Sequence, residues 1–545
     1  MYDCFKKAMA MATAAALSLL PATPAFARNP GNSDTVTPIK HIVIIFQENV
    51  SFDHYFGTYP NAANPEGEPA FHAKKNTPTI NGLSGALLVN NPNSLGTGNA
   101  AGATNPFRLD RSQAFTNDQN HAYGPEQAAY HLGLMDLFPV SVGNAGPPPN
   151  APPMAVSTQG LTMGYFDGNT VTAFWNYAQH FAMSDNSYGS TFGPSTPGLL
   201  NLTAGQTNGA VNIINGTGNE TPGGGTSMTV VGDPDPLNDV CSSPTRNQVQ
   251  MSGRNIGELL NEAGVSWGSF MGGFDLTITN ANGTTKCARS TGSLIVPVTA
   301  DYVPHHAMFQ FDPNTANPQH TRPASISEIG HNGPANHNYD TNDFFAAVKA
   351  GKLPAVSFLK AQAFEDGHAG YSDPLDEQTF VVNVINALQK SNDWDSTAVV
   401  IAYDDSDGWY DHQMGPILNQ STAPADALTA PGACGDGSTA LPGVDPGNAH
   451  AQGRCGYGPR LPLLVVSPWA KKNFVDHTVT DQSSIIHFIE DNWLDSQRIG
   501  QGSFDAIANS IDQMFDFERL RSDNVGRLVL DPGTGLAVSH DDDER

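Results

Sequence analysis

Positive charge is scarce in this chain: 26 lysines and arginines stand against 53 aspartates and glutamates, a formal net charge of -27. A surface of that sign excludes electrostatic binding of nucleic acid and opposes adsorption to anionic membranes. Cysteine is scarce as well, with five in 545 residues and no Cys-x-x-Cys spacing, which argues against a thiolate metal cluster. Beyond residue 27 there is no long apolar run, so no stable membrane anchor is expected. No internal repeat divides the chain, and nothing in it sets an oligomeric state.

What is present begins with an export signature. Lys6 and Lys7 precede an apolar stretch from Ala8 to Leu20, and Ala25-Phe26-Ala27 offers a small-x-small cleavage site. Residues 1–27 are therefore expected to be a signal peptide. There is no twin-arginine pair, so general secretion to the periplasm or beyond is favoured. Cys241, Cys287, Cys434 and Cys455 survive that cut, an even number in an exported protein. Neighbour pairing, 241 with 287 and 434 with 455, would staple two Gly/Pro-rich loops at roughly 3–4 kcal/mol each.

Two apolar strands carry the main signal. Ile42-Val43-Ile44-Ile45-Phe46 runs into Gln47-Glu48-Asn49, and residues 398–403 run into Asp404-Asp405. Continuous β-branched runs read as strands covered on both faces, hence a large, mostly parallel sheet in a three-layer α/β/α sandwich. Further strands are predicted at 355–359 and 463–467, and helices at 343–349, 377–389 and 483–492, the last with Ser483 as N-cap. Residues 90–105, 143–153 and 203–238 read as long loop insertions and site walls within one domain, 28–538, before a charged tail, 539–545.

In such sheets ligands bind beyond the carboxyl ends of the strands. Glu48, Asn49, Asp404 and Asp405 could converge there, and three carboxylates so gathered repel one another unless a cation lies between them. All-oxygen donors favour calcium, magnesium or manganese. Gly193-Pro194-Ser195-Thr196-Pro197-Gly198 should open a helix at Ser195 or Thr196, with free backbone N–H groups as an anion seat. Either hydroxyl could attack phosphorus beside a cation, or simply cap the helix. His121, His305, His306 and His368 sit in loops where an imidazole could donate to phosphoryl oxygens or protonate a leaving group. His54 and His412 could instead orient a carboxylate from behind.

From Ile42 to Gly57 these motifs resemble the opening signature of the bacterial phospholipase C and acid phosphatase family, within the alkaline-phosphatase-like superfamily. The likeness continues through 118–136, 192–198, 356–373, 398–412 and 458–470 and ends near Asn492. It implies an alkaline-phosphatase-like fold and one divalent metal held by Glu48, Asn49, Asp404, Asp405 and the nucleophile. It places that nucleophile at Ser195, and sets His121, His368 and one of His305 or His306 around the phosphate. Val50 stands where arginine is common, and Asp404-Asp405-Ser406-Asp407-Gly408 departs from the Asp-Glu-x-Gly-Gly of many phospholipases. The Asp-Asp version, and the lack of the extra C-terminal modules of longer phospholipases, point to the phosphatase branch.

The expectation is thus an exported, metal-dependent phosphoesterase of acid phosphatase type, acting on small-molecule phosphate esters through Ser195 and a phosphoserine, with His368 as proton donor. The alternative is a phospholipase C acting on phospholipid head groups, with Trp409, Tyr410 and the Met-rich run 154–163 as an apolar rim. A non-enzymatic, calcium-stabilised secreted binding protein would explain the acidic pairs, but neither the Ser195 segment nor the histidines.

Overall fold

The computed structural model describes residues 35–95, 97–143, 158–224, 227–435, 451–518 and 526–538. The signal-peptide reading, the 539–545 tail and the first residues of the 154–163 run lie outside them. Eight strands form the central sheet: β1 His41–Gln47, β2 Ala182–Ser184, β3 Trp267–Met271, β4 Asn338–Asp340, β5 Val356–Lys360, β6 Thr397–Tyr403, β7 Leu463–Val466 and β8 Phe474–Asp476. Their spatial order is β4-β3-β5-β1-β6-β7-β2-β8. Only β7 runs against its neighbours.

The sequence explains this arrangement. Ile42 through Phe46 are fully buried, as are Val399, Val400 and Ile401 in β6. A strand apolar on both sides needs cover on both sides, which a sheet between two helical layers provides. The flanking helices are α1 Thr172–His180, α2 Ser195–Ala204, α3 Ile256–Ala263, α4 Thr341–Lys349, α5 Pro374–Lys390 and α6 Ser483–Trp493. They pack in two groups: α5 against α1 and α4, and α2 against α3 and α6. Start signals set several boundaries. The Asp373 carboxylate accepts the N–H groups of Leu375 and Asp376 while Pro374 opens α5, and Asp340 caps α4 in a capping box.

Two predicted features differ. Residues 203–238 do not form a plain loop. With Gln248–Met251 they build a separate five-stranded sheet, ordered Glu220–Gly224, Ser227–Val230, Asn208–Ile214, Gln248–Met251 and Asp235–Pro236. The N-cap of α6 is Gln482, not Ser483, because the Ser483 hydroxyl donates to the Asp481 carboxylate at 2.8 Å instead of taking a helix N–H. Disulfides join Cys241 to Cys287 and Cys434 to Cys455, the pairing that spacing favoured. Among the described residues no helix is long and apolar enough to cross a membrane.

Candidate active site

Strand register builds the centre of the site. β1 and β6 are parallel neighbours with Gln47 opposite Tyr403, so the next residues, Glu48 and Asp404, leave the sheet side by side. The Asp404 N–H donates to the Gln47 carbonyl at 3.2 Å and the Glu48 N–H to the Asp366 carbonyl at 2.9 Å, which extends the order one residue past each strand. The segments that follow are then tied together. Ser51 donates to the Tyr410 carbonyl, and the Arg460 guanidinium binds Asp53 and Asp411 at 3.0 and 3.1 Å.

The helix carrying Ser195 lies directly against this point. A Cβ added to Gly198 would sit 2.2 Å from the Asp404 carbonyl oxygen, so only glycine lets the first turn of α2 come this close. Ser195 Oγ then lies 3.1 Å from Glu48 Oε2 and 3.4 Å from Asp405 Oδ2. Pro194 is the N-cap and has no side chain able to cap the helix. Thr196 points elsewhere: its hydroxyl donates to the His305 carbonyl at 3.2 Å and its N–H to Asp233 at 2.9 Å. One of the N–H groups expected to be free is therefore taken by Asp233.

The histidines divide by position. His306 Nδ1 lies 3.1 Å from Glu48 Oε1, whereas His305 faces Asp235 at 3.7 Å. His121 and His368 meet edge to face, with ring centroids 5.5 Å apart. His121 Nδ1 is 3.1 Å from Asp407 and 3.4 Å from Asp118. Burial opposes its charge, but Asp405, Asp118 and Asp407 outweigh burial and hold the imidazole well above its usual range. Burial pushes His368 down to about 4, and its Nδ1 donates to the Ala369 carbonyl at 2.6 Å. His54 and His412 touch none of the central carboxylates. His54 stacks on Trp409 at 3.8 Å, and His412 orients Asp53 through a 2.6 Å contact.

Three site residues escaped the sequence reading. Lys360, which ends β5, is buried with its ammonium on Glu48 and 3.1 Å from Asp404. Burial pulls that ammonium down, but Asp404, Glu48 and Asp366 outweigh it and raise it above its usual value. The rule applied to β1 and β6, a charged residue directly after an apolar strand, would have found it. Asp366 is a further buried carboxyl there, held well above its usual range by burial and by Glu48. Glu126, buried in a short helix, accepts the Gly193 N–H at 2.9 Å and the Ser406 hydroxyl at 2.6 Å, tying the segment before Ser195 to the one after Asp405. Burial raises it to about 7. No motif flagged it.

The donor set fits a hard divalent cation. Asn49 is fully buried, and among the described residues neither its amide oxygen nor its amide nitrogen has a hydrogen-bond partner. Burial, with the Glu48 charge, pushes Asp404 well above the usual carboxylate range, and burial does the same to Asp405. One ammonium does not balance this many buried carboxylates, and the oxygens are of the type that calcium, magnesium or manganese takes. Lys360→Met should therefore lower the melting temperature most in chelated protein and widen the gap between metal-loaded and chelated forms. Removing one partner of a buried ion pair costs about 3–5 kcal/mol. Thermal scans with and without chelator check this; an unchanged gap would contradict it.

A model of the phosphoesterase family matches residues 39–494. The chain belongs to the phosphoesterase family. The chain is similar to the non-hemolytic phospholipase C of Burkholderia pseudomallei, 26% identical over 506 residues, covering 90% of this chain and 60% of that protein's length. It is similar as well to phospholipase C A of Mycobacterium tuberculosis, 26% identical over 476 residues, covering 83% and 72%. A solved structure of a protein in the alkaline phosphatase superfamily from Vibrio parahaemolyticus covers 72% of this chain and 73% of its own, at 12% identity and a TM-score of 0.26, too slight a likeness to bear on the fold. The α/β class rests on the eight-stranded sheet itself.

Proposed function

We propose that this phosphoesterase is an exported phosphomonoesterase of acid phosphatase type. The observation that carries the reading is the Ser195 hydroxyl at the start of a helix, within 3.1 and 3.4 Å of two buried carboxylates from adjacent strands. Held by Glu48, Asn49, Asp404, Asp405 and Ser195, a divalent cation would supply the positive charge that favours ionised serine and phosphoryl oxygens there. Ser195 Oγ gives up its proton to the Glu48 carboxylate it faces and attacks phosphorus, the ester oxygen leaves opposite it, and water then hydrolyses the phosphoserine. His306 is held near Ser195 through its Nδ1 contact with Glu48 and orients that carboxylate. His121 keeps its proton between Asp118 and Asp407, which suits it to protonate the leaving oxygen. His368, neutral and donating through Nδ1, leaves Nε2 free to take a proton from the attacking water. This revises the expectation that His368 is the acid.

The names of the two relatives favour a second reading, a phospholipase C. The residues offered as its apolar rim do not support it: Trp409, Tyr410 and Met163 are all buried in the core. Assays on p-nitrophenyl phosphate, its phosphorylcholine ester and phosphatidylcholine, at acid and neutral pH, separate the two. The monoester should be turned over at least about tenfold faster than either choline substrate, a gap of about 1.4 kcal/mol in barrier. The reverse order would replace the phosphatase reading by the phospholipase one.

A further inference from the structure

The insertion built by residues 208–251 reaches the mouth of this site. A cavity of about 400 Å³ is lined by Pro194, His121, Asp118, Asn219, Asp233 and Arg246, among others. That volume suits the leaving group of a small ester. Its two lining carboxylates are already engaged, Asp118 by His121 and Asp233 by the Thr196 N–H. Arg246 is not used up in the same way. Its Nη2 donates to the Asp233 carbonyl at 2.8 Å and its Nε lies 3.5 Å from Asp235, while Nη1 has no partner among the described residues. The side chain is 45% exposed, and the residue lines the cavity.

In a chain with a net charge of -27, Arg246 is a cationic group held at a mouth whose lining also includes Asp118 and Asp233. A guanidinium presents paired donors that match phosphate or carboxylate oxygens. A trimethylammonium head group asks for the opposite, aromatic faces and no cation. Among the described residues that line the cavity none is phenylalanine, tyrosine or tryptophan, and Tyr371, the ring beside the histidines, lies flat against His368 at 4.3 Å. We infer that Arg246 forms a leaving-group subsite, selecting phosphate esters whose leaving group carries a second anionic group, phosphate or carboxylate. The inference rests on the phosphomonoesterase reading and gives it a substrate class.

Binding tests it without turnover. In Ser195→Ala protein loaded with manganese, calorimetry compares fructose 1,6-bisphosphate and 3-phosphoglycerate with glycerol 2-phosphate, which has no second anion. The two dianchored ligands should bind at least about tenfold tighter, the worth of one hydrogen bond to a charged group. Adding Arg246→Gln should abolish that preference while leaving glycerol 2-phosphate affinity within about threefold, a difference below 1 kcal/mol. Arg246→Lys should restore part of it. A preference for only one of the two dianchored ligands would assign the subsite to phosphate or to carboxylate. Equal affinity for all three ligands in the parent, or equal weakening of all three in Arg246→Gln, would overturn the subsite. Wild-type protein that shows the binding preference but hydrolyses no phosphate ester would sink the proposed reaction and leave the subsite standing.

Discussion

Ser195→Ala should lower phosphate-ester turnover by about 10⁴-fold or more while leaving the fold intact, since losing a nucleophile removes the whole covalent route. Among the described residues the hydroxyl makes two hydrogen-bond contacts, to Glu48 and Asp405. Alanine is a better helix former than serine, and Ser195 caps nothing. Melting temperature should fall by no more than a few degrees, since alanine's helix preference offsets part of the hydrogen bond lost to Glu48. Thr196 cannot substitute, because its hydroxyl is committed to the His305 carbonyl. Rates on p-nitrophenyl phosphate with parallel thermal scans check both halves. Turnover within tenfold of wild type would remove Ser195 from the reaction.

Stripping divalent ions should abolish activity and destabilise the protein together. Glu48, Asp404 and Asp366 are buried around the Lys360 ammonium and Asp405 lies by the His121 imidazole, so the chelated fold buries more carboxylates than cations there. An ion that binds only the folded chain adds stability by mass action, about 2.7 kcal/mol at a hundredfold excess over its dissociation constant. Melting temperature should climb with the logarithm of added manganese or calcium, and activity should return on the same titration curve. Activity that persists in chelator, with a melting temperature indifferent to divalent ions, would contradict the account.

Much of this was legible in the chain because the strongest signals are also the most local. Four strands and their edges could be read to within a residue or so, since continuous β-branched runs have no stable place except between two layers. The convergence of Glu48 with Asp404 followed from the same runs, because parallel strands end on one edge. The choice between Ser195 and Thr196 was not legible: it depends on Gly198 touching Asp404 and on Asp233 arriving from the insertion. That insertion was missed as a sheet because its longest strand, Asn208–Ile214, is half exposed with weak alternation. Glu126 was invisible for another reason. Its role lies in two loops distant in sequence, and nothing around it marks an interior carboxylate.

Manganese-soaked crystals, read by anomalous scattering, put the central claim to its most direct test. The account predicts a peak bonded to Ser195 Oγ and to oxygens of Glu48, Asn49, Asp404 and Asp405. The described residues hold competing clusters, among them Asp118, His121, His368 and Asp407, whose imidazoles and carboxylates also come within ligand reach of one another. A peak there, with none at Ser195, would show that the two parallel strands do not build the cation site at all.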